Sequence, residues 1–344
     1  MNRLLGCATA CLIALTCAAP AGAQTVPSNG VTGCLVDTGV NIKHQEFAAG
    51  QLVGYWDFTD TSNRTVAAFD PKHQPADGYG HGTITSAMMA GLGTGSTETK
   101  SFAPGFPFAM ADVGTDDGSI SGSIASAVRW CVNTIHADVI NISIGSIVPL
   151  PGISRVLSSD DYAALDEAAA AGVLVTVANG NGTANAGLVP SDGAESNYAS
   201  SLSVLAVGAS GTDGATVSYQ PEVAAQFCVT GPTKDSTNQY TDECGTSFSS
   251  PLTAGFAMRL IAEARSVGKT LKAPAIEDLV KSASRDTAFP PTFEGYGVID
   301  ADQLQGALAA ARAGTLVARP NPDPSALYVE DVAGTERQAN NAVG

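Results

Sequence analysis

The sequence predicts an α/β domain in which a mostly parallel central sheet lies between two layers of helices. Three observations lead there. Several short runs rich in β-branched residues, at 31–36, 108–113, 138–144, 173–178 and 203–209, end in Gly-, Asp- or Ser-rich turns. These runs are apolar along most of their length rather than alternating with polar residues, the pattern of strands covered on both faces. Ala-rich stretches with helical spacing lie between some of them, and strands alternating with helices build a three-layer domain.

In chain order, the strand at 31–36 comes first, and an Ala/Met-rich helix follows at 84–90. The helix expected at 123–132 precedes the strand at 138–144, and the one at 162–171, stopping at Gly172, precedes the strand at 173–178. A longer helix is expected over 247–267 and another over 275–284. No repeat is visible. The run Arg319-Pro320-Asn321-Pro322-Asp323-Pro324 breaks regular structure, and the polar, Ala/Gly-rich residues after it read as flexible. The expected organisation is a leader at 1–23, a short segment at 24–30, one domain at 31–312 and a flexible tail at 313–344.

The leader is read from its layout. Arg3 is its lone charge, residues 4–19 are apolar, and Ala21-Gly22-Ala23 stands before Gln24. A short basic start, an apolar core and an A-x-A site make a secretory signal peptide, whereas a membrane anchor needs about 20 apolar residues and no cleavage site. The mature chain is expected to be secreted or periplasmic and free of the membrane. The 33 acidic against 17 basic residues give the full chain a charge of −16. That disfavours nucleic acid, whose phosphates require Lys and Arg, and anionic membranes for the same reason. Cys7, Cys11 and Cys17 leave with the leader, while Cys34, Cys131, Cys228 and Cys244 remain. Four cysteines in an exported chain permit two disulfides in three pairings. Cys228 and Cys244 bracket one polar loop, which favours that pair with Cys34–Cys131 left over, but spacing alone does not fix it.

Three segments place reactive side chains among glycines at the ends of expected elements. Asp37 follows an apolar strand in Leu35-Val36-Asp37-Thr38-Gly39, and His81 precedes a helix in Gly78-Tyr79-Gly80-His81-Gly82-Thr83. Ser247 opens the long helix in Cys244-Gly245-Thr246-Ser247-Phe248-Ser249-Ser250-Pro251. Ligand sites in open α/β sheets form at the carboxyl ends of strands, and a helix N-terminus favours a developing oxyanion. Each residue alone reads as a turn or a cap. Together they supply a nucleophile, a base to take its proton, and a carboxylate to orient that base.

Order then discriminates among enzyme classes. The histidines are His44, His73, His81 and His136, so none follows the candidate serine. An α/β-hydrolase needs Ser, acid, His in that order, and Ser143 lacks the leading Gly of G-x-S-x-G because Asn141 stands there. The order His, Asp, Ser belongs to paired β-barrels, which the parallel pattern does not suit. Asp, His, Ser fits. His44 and His73 read as solvated loop residues, and His136 as a helix–strand junction.

These segments resemble the three catalytic signatures of the subtilases, the subtilisin-like serine peptidases. The continuation Asn41-Ile42-Lys43-His44-Gln45-Glu46-Phe47 is similar to the proteinase K branch. Two further segments match: 138–145 resembles the substrate-binding strand, and 172–182 the strand ending in the oxyanion Asn. The likeness runs from about 31 to 309. It implies a subtilisin-like fold and a serine endopeptidase acting on protein or peptide substrates through an acyl-enzyme. In that reading Ser247 is the nucleophile, His81 the general base and then acid, Asp37 its orienting carboxylate, and Asn181 the oxyanion donor. Ser143, Ile144, Gly145, Ala178, Asn179 and Gly180 would flank the substrate, and the segment near Gly118 would add to its backbone as a strand. A catalytically silent peptide-binding member of the family is the alternative, and a monomer is expected in either case.

The chain also departs from the family pattern. Ile84 and Leu252 stand where histidines are usual, and Asn179 replaces a small residue, which would narrow the pocket before the scissile bond. Only residues 24–36 lie between the expected cleavage point and Asp37, where most secreted relatives carry a prodomain. The chain is therefore expected to fold unaided or with a helper or inhibitor acting in trans. No cofactor is required by the triad. Calcium, common in relatives, is left unassigned, because the loop at 91–100 offers hydroxyls and Glu98 but no Asp or Asn.

Overall fold

The computed structural model describes residues 26–62, 67–95, 100–145, 147–148, 158–181, 195–196, 198–210, 221–285, 294–317, 328–330 and 336–338. The leader at 1–23 lies outside them. In chain order the strands are β1 (Gly33–Asp37), β2 (Leu52–Asp57), β3 (Phe108–Asp112), β4 (Val139–Ile142), β5 (Ile147–Val148), β6 (Leu174–Ala178) and β7 (Glu195–Ser196). Then come β8 (Leu205–Ser210), β9 (Val223–Gln226), β10 (Cys228–Pro232), β11 (Tyr240–Cys244), β12 (Tyr328–Glu330) and β13 (Glu336–Gln338). The α-helices are α1 (His81–Ala90), α2 (Ile124–Asn133), α3 (Ser159–Ala171), α4 (Thr246–Ser266), α5 (Ala273–Ala283) and α6 (Leu304–Ala313).

Seven strands form the central sheet in the order β2-β3-β1-β4-β6-β8-β9, and every ladder in it is parallel. Side chains alternate across it as a pleat requires. Leu35 enters one hydrophobic core with α1, α4, α5 and α6, while Cys34 and Val36 enter the other with α2 and α3. Both faces are covered, which is why these strands read as nearly continuous apolar runs. From β1 the chain places β2 and β3 on one side of the sheet and β4 on the other. The carboxyl ends of β1, β3 and β4 therefore flank the point where strand order reverses.

Local chemistry sets several boundaries. The Ser123 hydroxyl caps α2 by accepting from the Ser126 N–H at 3.2 Å. Gly172, at φ 85°, ends α3 in the left-handed conformation expected of a terminal glycine. Helix α1 begins at His81 itself, three residues earlier than its apolar run suggests. The strands β2, β5, β7, β9, β10, β11, β12 and β13 and the helix α6 are additions to the elements expected from the sequence. The segment read as a tail from 313 stays on the body at first: Thr315 N–H donates to the Ala310 carbonyl, and Leu316 and Val317 pack against the core. Further on, β12 and β13 pair as an antiparallel ladder.

Two disulfides cross-link the fold, Cys34–Cys131 from β1 to α2 and Cys228–Cys244 between facing residues of β10 and β11. In the chain-entropy description such closures contribute about 3–5 kcal/mol each, the longer loop more.

Candidate active site

The carboxyl edge of the sheet gathers the polar side chains. Asp37 ends β1 with its side chain fully buried, and a buried carboxylate is stable only if its oxygens are hydrogen-bonded. Oδ1 accepts from His81 Nδ1 at 2.7 Å and from the Thr38 N–H at 2.8 Å, while Oδ2 accepts from Thr85 Oγ1 at 3.0 Å. Because the carboxylate can only accept, Nδ1 carries the imidazole proton and Nε2 is left with its lone pair. Burial pulls the His81 imidazole down, and the Asp37 charge and hydrogen bond, with lesser help from Asp77 and Glu243, more than offset it. Its pKa therefore stands above the ordinary 6.5.

Asp77 holds this pair in place. Its Oδ1 accepts from Thr38 Oγ1 at 3.0 Å and from the Gly80 N–H at 2.6 Å. Its Oδ2 accepts from the Thr83 N–H at 2.8 Å and from Thr83 Oγ1 at 2.6 Å. A carboxylate on the first N–H groups of α1 explains why the helix starts at His81. The packing at this joint is close. A Cβ on Gly39, at φ 103°, would meet the Ala76 carbonyl oxygen at 2.0 Å, and one on Gly82 would meet the Gly39 carbonyl oxygen at 2.1 Å.

Ser247 lies in the first turn of α4, half-buried, where its own N–H has no partner within the helix. Pro251 stands four residues later and has no N–H to give the Ser247 carbonyl. The Ser143 hydroxyl takes that place, donating to the Ser247 carbonyl at 2.7 Å. In return, Ser247 Oγ donates to the Ser143 carbonyl at 3.2 Å. A buried network backs the exchange. Asn141 Nδ2 donates to Ser143 Oγ at 2.9 Å, and Asn141 Oδ1 accepts from Ser250 Oγ at 2.7 Å and Thr176 Oγ1 at 3.1 Å. Asp37 and His81 are thus joined directly, while the hydroxyl of Ser247 is bonded to Ser143 rather than to the imidazole.

Asn181 follows β6, and its Oδ1 accepts from the Thr246 N–H at 2.8 Å and from Thr246 Oγ1 at 3.1 Å. That fixes the amide with Nδ2 as the end left to donate, on the chain segment just before Ser247. Ser143 and Ala178 are buried, Ile144 and Gly180 half-buried, and Gly145 exposed. Asn179 is buried at 1% exposure, and its N–H donates to the Val207 carbonyl. Gly118 sits at φ 82° in a tight turn, with its N–H on the Thr115 carbonyl. That donor is already taken, so Gly118 itself does not present an extended edge for an added strand.

The subtilase family model, peptidase S8, matches residues 28–302. The chain is a subtilase. Thermitase of Thermoactinomyces vulgaris is 27% identical over 251 residues, 72% of this chain and 81% of that one. Subtilisin DY of Bacillus licheniformis is 27% identical over 291 residues, 81% and 94% of the two chains. A subtilisin-like protease of Coccidioides posadasii is 29% identical over 181 residues, covering 53% of this chain and 39% of its own length. The chain thus spans well under half the length of that fungal relative. Among solved structures, the protease domain of PatA superposes with a TM-score of 0.63 at 20% identity, over 84% of this chain and 97% of that one. The maturation protease PagA gives 0.61 at 18%, over 83% and 95%. These two bear on the fold, a parallel seven-stranded sheet flanked by helices.

In this subtilase the described part of the loop following α1, where the resemblance places a calcium site, donates to a carboxylate. Glu46 Oε2 accepts from the Gly93 N–H at 2.6 Å, and Oε1 from the Gly95 N–H at 2.9 Å, Thr94 Oγ1 at 3.0 Å and Tyr240 Oη at 2.6 Å. A calcium ion needs oxygen lone pairs converging on it, whereas here N–H and O–H donors surround a buried carboxylate. The described part of the loop does not fit the ion; Glu98 lies outside the described residues. Among those residues no group of three or more His, Cys, Asp or Glu side chains could hold a metal. His44 is a correction to the sequence reading. It is buried, with Nε2 on the Gln239 carbonyl and Nδ1 accepting from the Glu46 N–H, and burial pushes its pKa down. It supports the Glu46 cluster and is not solvated. The residue that sequence reasoning missed is Asp77. Its signal was a carboxylate placed to meet the first N–H groups of a helix.

Proposed function

We propose that this subtilase is an exported serine endopeptidase that cleaves peptide bonds through an acyl-enzyme on Ser247. The observation that carries the reading is the 2.7 Å bond from His81 Nδ1 to the buried Asp37, which leaves Nε2 as a base beside the opening turn of α4. In this mechanism Ser247 Oγ leaves the Ser143 carbonyl and gives its proton to Nε2 as it attacks the substrate carbonyl carbon. Asn181 Nδ2 and the Ser247 N–H receive the oxyanion. His81 then passes the proton to the leaving amine, and water hydrolyses the ester by the same route in reverse.

Replacing Asn181 by Ala is expected to lower kcat by about 10²–10³-fold with little change in KM, because an oxyanion donor acts in the transition state. Steady-state kinetics on a peptide amide checks it; an unchanged kcat would remove Asn181 from the mechanism.

Export is supported by the leader pattern and by two disulfides, which persist in oxidising compartments. The segment after Asp37 resembles the proteinase K branch, yet fungal and bacterial relatives match at similar identity, 29% and 27%. We therefore assign the family and no branch. We also propose that activity needs no calcium, since donors already satisfy Glu46. Chelation with EDTA is expected to leave both thermal midpoint and activity unchanged, and a drop reversed by added calcium would overturn this.

A further inference from the structure

Beside the candidate catalytic residues lies a cleft of about 400 Å³, lined by Tyr79, His81, Ile84, Phe248, Lys234 and Glu243 among others. Its far wall is the β10–β11 hairpin, whose second strand runs into Gly245-Thr246-Ser247. Strand alternation turns Thr241 and Glu243 into the cleft, while Asp242 bonds across the hairpin to Thr230 at 2.6 Å. The charges in the cleft are unequal. Lys234 pairs with the neighbouring Asp235, which also lines the cleft, at 3.2 Å, so the acidic residues outnumber the lysine there. Glu243 is exposed, its charge is felt at His81, and among the described residues its side chain has neither a hydrogen bond nor an ion pair.

Resting on the peptidase reading above, we propose that this cleft receives the residue that follows the scissile bond and that Glu243 selects a cationic side chain there, Lys or Arg. The direction follows from the chemistry. The acyl carbonyl must face Asn181 and the Ser247 N–H, on the side of Ser143 and Gly180. The leaving amine takes its proton from His81, so its side chain continues along the other wall of the imidazole. That wall is this cleft. Phe248 packs against the His81 ring, with centroids 5.6 Å apart, and with Tyr79 and Ile84 it offers apolar surface to a long aliphatic stem. Glu243 stands at the rim to meet the charged end.

The test uses the full chain and quenched peptides that differ only in the residue after the scissile bond: Arg, norleucine or Glu. For the wild type, kcat/KM is expected to favour Arg over norleucine by about 5–10-fold at low salt and by less at high salt. Glu243→Gln is expected to bring that ratio near unity, and Glu243→Lys to reverse it towards Glu. Fluorophosphonate labelling of each variant reports that the serine site has formed. A ratio that survives Glu243→Gln, a charge preference confined to the residue before the scissile bond, or no preference in a labelled wild type overturns this assignment alone. A folded preparation that neither labels nor cleaves overturns the peptidase reading and this one with it.

Discussion

Replacing Asp37 by Asn is expected to lower kcat by about 10⁴-fold while the protein still folds. An amide of the same shape has a single oxygen; with that oxygen on Thr85 it sets its NH₂ where Oδ1 had accepted from both His81 and the Thr38 N–H, and it holds the wrong tautomer, with Nε2 protonated and useless as a base. The pH profile of kcat/KM gives a second readout of the same interaction. Burial pulls the imidazole down and the Asp37 charge and hydrogen bond, with Asp77 and Glu243, raise it, so the net position lies above 6.5. Since only the neutral ring takes a proton, the wild-type acid limb should inflect above 6.5, and in Asp37→Asn it should move to lower pH. A wild-type limb below 6.5, or one unmoved by the substitution, would contradict this account of the pair.

Asp77→Ala is the substitution with the largest expected effect on stability. It leaves Thr38 Oγ1, the Gly80 N–H and both donors of Thr83 without their acceptor, inside the joint between β1 and α1. Unsatisfied buried donors cost about 1–3 kcal/mol each, but burial already pushes the Asp77 carboxyl up, so removing it recovers part of the loss. A net loss of about 3–4 kcal/mol in urea denaturation is expected, with a fall in kcat as His81 loses its seat. Asp77→Asn keeps one oxygen acceptor and should fall between. A midpoint for Asp77→Ala within about 0.5 kcal/mol of wild type would show that the joint is held by packing instead.

The sequence was most informative where a residue's chemistry and its local pattern agree. The strands β1, β3, β4, β6 and β8 are apolar along most of their length because both faces are covered, and that pattern survives without any knowledge of neighbours. Asp37, His81 and Ser247 sit in short Gly-rich segments whose order rules out the α/β-hydrolase arrangement, while the parallel strand pattern disfavours the His–Asp–Ser one. The missed elements lack such signals. Strand β2 carries Gly54 within six residues, β9 is the four-residue Val223–Gln226, and α6 is Ala-rich with Leu304 and Leu308 as its large apolar side chains. Each is fixed by packing against the sheet or α4 rather than by its own pattern.

Long-range contacts were less legible still. Nothing local to Ser143 signals that its hydroxyl replaces the N–H absent from Pro251, more than a hundred residues away. The same is true of Glu46, whose partner Tyr240 reaches it from the far end of the domain.

The central claim is that Asp37 and His81 activate the hydroxyl of Ser247. It is tested most directly by fluorophosphonate labelling of the purified chain beside Ser247→Ala. The account predicts one covalent adduct, on Ser247, in the wild type, none in the variant, and a loss of peptide cleavage on the order of 10⁶-fold with the hydroxyl. A folded wild type that takes up no label would contradict it, and would leave a subtilase that holds peptides without cutting them.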